Sequence, residues 1–250
     1  MLTKAVIKDI QSLQQKKQRD SAGLFVAEGP KLVKELIDSG IFELQHVYVA
    51  QEMAGKSLSA IVGDSRVTMV TAQQLGLLSG LQTPNEMVAV FHQKRNSLPA
   101  QPSNGVFLLL EDIQDPGNLG TIIRSADWFG VRSIICSPST VDAFNPKVVQ
   151  STMASLARVE ILYTELSGWI NAHRAIPLVV TSIHGDRIQD VTIPAPCALL
   201  IGNESKGVSP ALQSLAGCTI RIPGSGTAES LNAGVAAGIC LYHICQASVT

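Results

Sequence analysis

The sequence predicts an α/β protein: a mostly parallel sheet with helices on both faces, preceded by a smaller α/β unit. Three observations carry this. In the second half of the chain, apolar runs of strand length alternate with helical periodicities, the pattern of parallel strands joined by helices. The runs are apolar throughout, as in strands buried on both faces. Hydrophobic residues are 46% of the 250 and charged residues only 16%, which excludes a disordered chain. With aromatics at 4%, Ala, Val, Ile and Leu must build most of the core.

The elements follow in order. Val6, Ile10 and Leu13 recur at helical spacing with lysines between them, so the chain opens on a helix. Phe25-Val26-Ala27 reads as a strand. Pro30 suits the first position of a helix through Leu32, Val33, Leu36 and Ile37, ended by Gly40. Residues 47–49, 67–70 and 87–91 are further strands. Residues 94–105 contain two prolines and no apolar periodicity. The expected division is therefore a first domain over 1–98, a linker over 99–105 and a second domain over 106–250.

In the second domain, 106–110 is a buried strand. Asn118 is placed to cap a helix through Ile122, Ile123, Ala126 and Phe129, closed by Gly130. Residues 133–136 form a strand, and Pro146 starts a helix over Val148, Val149 and Met153. Strands follow at 178–181, 198–201 and 218–222, with a short helix starting at 209–210. The last helix runs from about Leu231 to Cys245. The stretch 231–249 holds no Lys, Arg, Asp or Glu, but its Asn232, glycines, His243 and Gln246 suit a buried helix better than a membrane span.

Charge and cysteine usage narrow the class. Net charge is −1, yet residues 1–98 carry 11 Lys+Arg against 9 Asp+Glu, and residues 99–250 carry 8 against 11. Lys4, Lys8, Lys16, Lys17 and Arg19 crowd the start, where they are either a solvated helix face or a local nucleic-acid contact. The 5 cysteines are odd in number and show no C-x-x-C, which argues for core thiols in a reducing compartment and against a metal site. Lys8, Asp9 and several glutamines interrupt the start, so no signal peptide is expected and the location is cytoplasmic.

Ligands of an open parallel sheet bind at the carboxyl ends of its strands. Three loops there are rich in polar residues and glycine: 111–120 with Arg124 just beyond, 202–207, and 223–232. No G-x-G-x-x-G follows the first strand, Val208 stands where a phosphate loop needs Lys, and there is no G-x-S-x-G elbow. The five histidines form no ligand spacing. Asn118, Arg124, Glu204, Ser230 and Asn232 together are more than three ordinary turns would carry.

DPGNLGTIIRSADWFG at 115–130, LLIGNESKGVSP at 199–210 and IPGSGTAESLNAGVAAGI at 222–239 resemble the three motifs of the SpoU (TrmH) family of RNA ribose 2′-O-methyltransferases. KKQRDSAGLFVAEGPKLVKEL at 15–36 and LQTPNEMVAVF at 81–91 resemble the substrate-binding domain that precedes the catalytic one, a ribosomal-protein-like α/β fold. The resemblance implies a trefoil-knotted (SPOUT-type) catalytic domain, an exception to the rule against knots. It also implies an S-adenosylmethionine cofactor, no metal, no membrane, and a homodimer through the last helix. By the same resemblance Asn118, Arg124, Glu204, Ser230 and Asn232 form the catalytic set. Gly202, Ile222 and Leu231 contact the cofactor, largely through backbone, and Lys16, Lys17 and Arg19 contact RNA. The expected reaction is methyl transfer to a ribose 2′-hydroxyl of a structured RNA, ribosomal RNA before transfer RNA. A catalytically silent RNA-binding protein is the alternative. One departure stands out: where the family commonly has Val-Ser-Val-Ala, this chain has Ala233-Gly234-Val235-Ala236, and Gly234 costs about 1 kcal/mol relative to Ala in a helix interior.

Overall fold

The structure is a computed structural model that describes residues 2–53, 65–94 and 105–246. The expected linker, 99–105, lies outside the described residues apart from Gly105. The chain forms two compact units, Met1–Arg95 with Phe144–Ala157, and Asn96–Ala143 with Arg158–Thr250. The helical segment Phe144–Ala157 thus packs with the first unit, which a single cut near residue 100 does not anticipate.

The first unit opens on two helices where one was expected, α1 (Lys4–Ser12) and α2 (Lys16–Ala22). Thr3 caps α1 by accepting from the Val6 N–H, and Gly23 ends α2 with a left-handed φ of 66°. Arg19 is 1% exposed, and its guanidinium donates to the carbonyls of Leu13 at 2.9 Å and Gln14 at 3.0 Å. It closes the turn between the two helices. This corrects the RNA-contact role expected of Arg19: its charge is inside, consumed by backbone carbonyls. Lys16 and Lys17 are exposed.

Next come β1 (Leu24–Glu28), α3 (Pro30–Ser39), β2 (Leu44–Ala50), β3 (Val67–Val70), α4 (Ala72–Leu78) and β4 (Met87–His92). Pro30 stands in the first turn of α3, and Gly40 ends it with φ 63°. Thr71 and Gln74 form a reciprocal capping box on α4. The sheet order is β1-β4-β2-β3, with β4 antiparallel to both neighbours and β2 parallel to β3.

The second unit begins with β5 (Val106–Leu110), α5 (Pro116–Trp128) and β6 (Ser133–Cys136). The next helix, α6 (Pro146–Thr152), is the one that joins the first unit, where Phe144 packs on Phe25 with centroids 4.9 Å apart. Then follow β7 (Glu160–Tyr163), α7 (Leu166–Ala172), β8 (Leu178–Arg187), β9 (Cys197–Ile201), α8 (Pro210–Gln213), β10 (Cys218–Arg221) and α9 (Ala233–Gln246). The sheet order is β10-β8-β9-β5-β6-β7, and every pair is parallel. Both β5 and β9 are buried along their whole length, as their unbroken apolar runs require. On one face Phe107, Leu109 and Leu200 pack with Leu166 and Ile170 of α7 and Leu212 of α8. Each such side chain contributes about 1.5–3 kcal/mol by leaving water.

On the other face α5 and α9 run side by side. A Cβ on Gly234 would stand 3.0 Å from the Thr121 Cγ2, and one on Gly238 3.8 Å from the Ser125 Oγ; Phe129 meets Tyr242 edge to face. The contacts advance in the same direction along both helices, so the pair is parallel. Gly234, the residue that departs from the family pattern, lets the two backbones approach. Its low helix propensity is offset by that close contact. From β10 at one edge of the sheet, the chain returns past β8 and β9 to start α9 beside α5.

Candidate active site

The three loaded loops sit at the carboxyl ends of β5, β9 and β10. The first is built by a correction to the expected cap. Asp115, not Asn118, caps α5, accepting from the Asn118 N–H at 2.9 Å, with Pro116 in the first helical turn. Asn118 therefore lies inside the first turn, and its own side chain is available for a longer reach. Its Nδ2 donates to Glu204 Oε1 in the second loop. From the third loop, Asn232 Nδ2 donates to Asn118 Oδ1 at 2.8 Å and to Glu204 Oε1 at 3.2 Å. Asn232 also caps α9, its Oδ1 accepting from the N–H groups of Gly234 at 3.0 Å and Val235 at 3.2 Å. The Ala233 N–H donates to Glu204 Oε1 at 3.2 Å. One carboxylate oxygen at the positive end of a helix thus ties all three loops together.

The other expected residues divide. Arg124 is exposed on α5. It follows Asn118 by six residues, about 120° around the helix axis. Ser230 is exposed in the third loop, as is Leu231, 46% of whose surface is open. Ile222 is half-buried and Gly202 is buried. Gly202 must be glycine, because a Cβ there would lie 2.3 Å from the Gly207 carbonyl carbon and 2.4 Å from the Val208 nitrogen.

A supporting set was not foreseen. Asn203 exchanges backbone hydrogen bonds with Gly207 at 3.1 and 2.8 Å, and its Oδ1 accepts from the N–H groups of Ser205 and Lys206. Its Nδ2 donates to the Asp112 carbonyl at 2.9 Å. Glu111 accepts from the Ser209 N–H at 2.7 Å. Ser137 and Thr140, after β6, accept from the N–H groups of Asp112 and Ile113. The nearest sequence signal was Asn203 itself, a residue that folds loops back on its own side chain.

The thiols are structural. Cys136, Cys197, Cys240 and Cys245 are buried and unbridged. Burial pushes Cys197 up to about 11 and Cys240 up to about 12. Among the described residues no group of three or more His, Cys, Asp or Glu could hold a metal ion, and no helix is long and apolar enough to cross a membrane.

The fold and site define an α/β protein with an all-parallel sheet and a three-loop polar cluster at its carboxyl edge, and comparison with known proteins gives the family. Residues 105–242 match the SpoU rRNA Methylase family, and residues 4–89 match the MRM3-like substrate binding domain. The chain belongs to the SpoU rRNA methylase family. It is 31% identical over 242 residues to the 23S rRNA (guanosine(2553)-2′-O)-methyltransferase RlmP of Bacillus subtilis, covering 95% of each chain. It is 33% identical over 240 residues to the 23S rRNA (uridine(2479)-2′-O)-methyltransferase of Streptomyces viridochromogenes, covering 90% of this chain and 84% of the relative. The AdoMet-bound rRNA methyltransferase from Sinorhizobium meliloti superposes with a TM-score of 0.87 at 31% identity, covering 99% of this chain and 96% of that one. The shared architecture is consistent with the trefoil-knotted fold that the motifs implied.

Proposed function

We propose that this protein transfers a methyl group from S-adenosylmethionine to a ribose 2′-hydroxyl of ribosomal RNA. The observation that carries the reading is the Asn118–Glu204–Asn232 cluster, which joins the three motif loops at the sheet's carboxyl edge. Relatives named as 23S rRNA 2′-O-methyltransferases and AdoMet-bound neighbours support it.

The residues present fit the cofactor. Gly202 lets the second loop fold back tightly on itself at the end of β9, and Ile222 and Leu231 offer apolar side chains of the kind that cover an adenine ring. When bound, S-adenosylmethionine supplies an electrophilic methyl on its sulfonium. The protein's part is mainly positioning, which can contribute roughly 7–11 kcal/mol to barrier reduction. Glu204 is an orienting group, since Oε1 already accepts from three donors. Arg124 offers a planar fork of cationic donors and no acceptor. It binds the phosphate beside the target ribose and stabilises the negative charge that builds on the 2′-oxygen as the hydroxyl proton passes to solvent water. Ser230, exposed in the third loop, contacts the ribose.

Leu231, Val235, Ile239 and Tyr242 form an exposed apolar stripe on and just before α9, and Trp128 of α5 is 84% exposed. An apolar surface of this extent favours a twofold homodimer through α9. In the first unit Lys16 and Lys17 contact RNA, and residues 1–98 act as the substrate reader while 106–250 carry the chemistry. The location is cytoplasmic.

The test is methyl transfer from labelled S-adenosylmethionine to unmodified ribosomal RNA. Arg124→Ala should lower turnover by at least about 100-fold, while its calorimetric affinity for S-adenosylhomocysteine stays within twofold of the unaltered protein. Unaltered turnover in that variant would remove Arg124 from the mechanism.

A further inference from the structure

We propose that Lys206 is a phosphate contact that seats the RNA strand beside the Asn118–Glu204–Asn232 cluster, and that Asp112 is its counter-ion. The inference rests on the RNA-methylating reading above and names a residue outside the set already assigned.

The starting point is a backbone oddity. Asp112 has φ 55°, a left-handed conformation that a residue with a side chain adopts only at some cost. The conformation aims its carboxylate at nitrogen donors. Gln114 Nε2 donates to Oδ1 at 2.9 Å, while Oδ2 lies 3.5 Å from Asn203 Nδ2 and 3.7 Å from Lys206 Nζ. The Lys206 side chain is 78% exposed. An ion pair so open to water adds little to stability and does not account for the strained backbone.

The pair is instead suited to exchange, with Asp112 giving way to a phosphate. Asn203 folds the loop by accepting from the Ser205 and Lys206 N–H groups, and the Asp112 carbonyl fixes Asn203. The backbone of Lys206 is therefore set, two residues from Glu204. Asp112 balances the ammonium's charge until RNA arrives, and the exposed ammonium keeps donors for a second oxyanion. The surroundings make a local cation necessary, since residues 99–250 carry 8 Lys+Arg against 11 Asp+Glu. An RNA phosphate arriving beside the cluster meets Lys206 as a point charge, and displaces Asp112 or shares the ammonium with it.

The experiment measures binding of unmodified ribosomal RNA to the full chain across a series of salt concentrations, with S-adenosylhomocysteine affinity as a control. Lys206→Ala should reduce the slope of log K against log salt by about 0.7–0.9, the share of one lost phosphate contact. It should raise KM for RNA more than it lowers kcat and leave cofactor affinity unchanged, and Lys206→Arg should restore the slope. Asp112→Gly keeps the left-handed backbone without its side chain. It should melt no lower than the unaltered protein and bind RNA at least as tightly with the original slope. A slope and KM indifferent to Lys206→Ala would overturn the phosphate contact, and weaker RNA binding by Asp112→Gly would overturn the counter-ion role. If the unaltered protein binds no RNA at any salt, the broader reading fails and this inference with it.

Discussion

Two loops at the same edge of the second sheet are built in opposite ways. The 202–207 loop is held by a backbone bridge, by the Asn203 side chain and by the absence of a Cβ on Gly202. The 223–231 stretch is exposed at every residue and becomes anchored only at Asn232, where α9 begins. The rigid loop carries Glu204, the carboxylate that gathers the other loops, whereas the exposed stretch carries Ser230 and Leu231. Half of the site is therefore part of the fold's own stability, and half can be changed at little cost to folding.

Breaking the rigid loop should have the largest effect. Gly202→Ala forces a methyl into the backbone of Gly207 and Val208. It should cost about 1–3 kcal/mol in overpacking, read as a lower melting temperature, and abolish measurable S-adenosylhomocysteine binding by calorimetry. The anchor between loop and helix comes next. Gly234→Ala gains helix propensity but presses on Thr121. A net loss of about 1 kcal/mol is expected, since small overpacking defects usually exceed the propensity gain. Thr121→Ser, which removes the Cγ2, should return part of it in a double-mutant cycle of denaturant melts. The smallest effect on stability belongs to the exposed stretch. Ser230→Ala should change stability by less than about 0.5 kcal/mol while slowing methyl transfer. If it destabilises as much as Gly202→Ala, the contrast between the two loops is wrong.

Much of this was visible in the chain itself, and the omissions have physical causes. Apolar runs such as 106–110 and 198–201 identify buried parallel strands, and Pro30 with Gly40 brackets a helix. Asp115 takes the cap expected of Asn118 because Pro116 is at home in a first helical turn, which starts the helix earlier than Asn118 suggests. The break between α1 and α2 depends on Arg19 turning inward to backbone carbonyls, which no periodicity reveals. The strand at 160–163 and the helix at 166–172 were not foreseen, their patterns being short and only partly apolar. Left-handed backbone at Asp112, Met153 and Ala154 is hidden because none of them is glycine. In the site, Asn118, Glu204 and Asn232 were legible as polar residues after strands. Asp112 and Asn203 were not, since their bond joins loops that are distant in sequence and serves the loops' shape.

Methylation of a ribosomal RNA ribose by the three-loop site can be tested in the cell. The most direct measurement maps 2′-O-methyl groups, by resistance to alkaline cleavage, across the ribosomal RNA of source cells with and without this gene. One ribosomal position should lose its methyl group, regain it with the unaltered gene, and stay unmodified with Arg124→Ala. Ribosomal RNA with an unchanged methylation map, or a loss confined to transfer RNA, would contradict it.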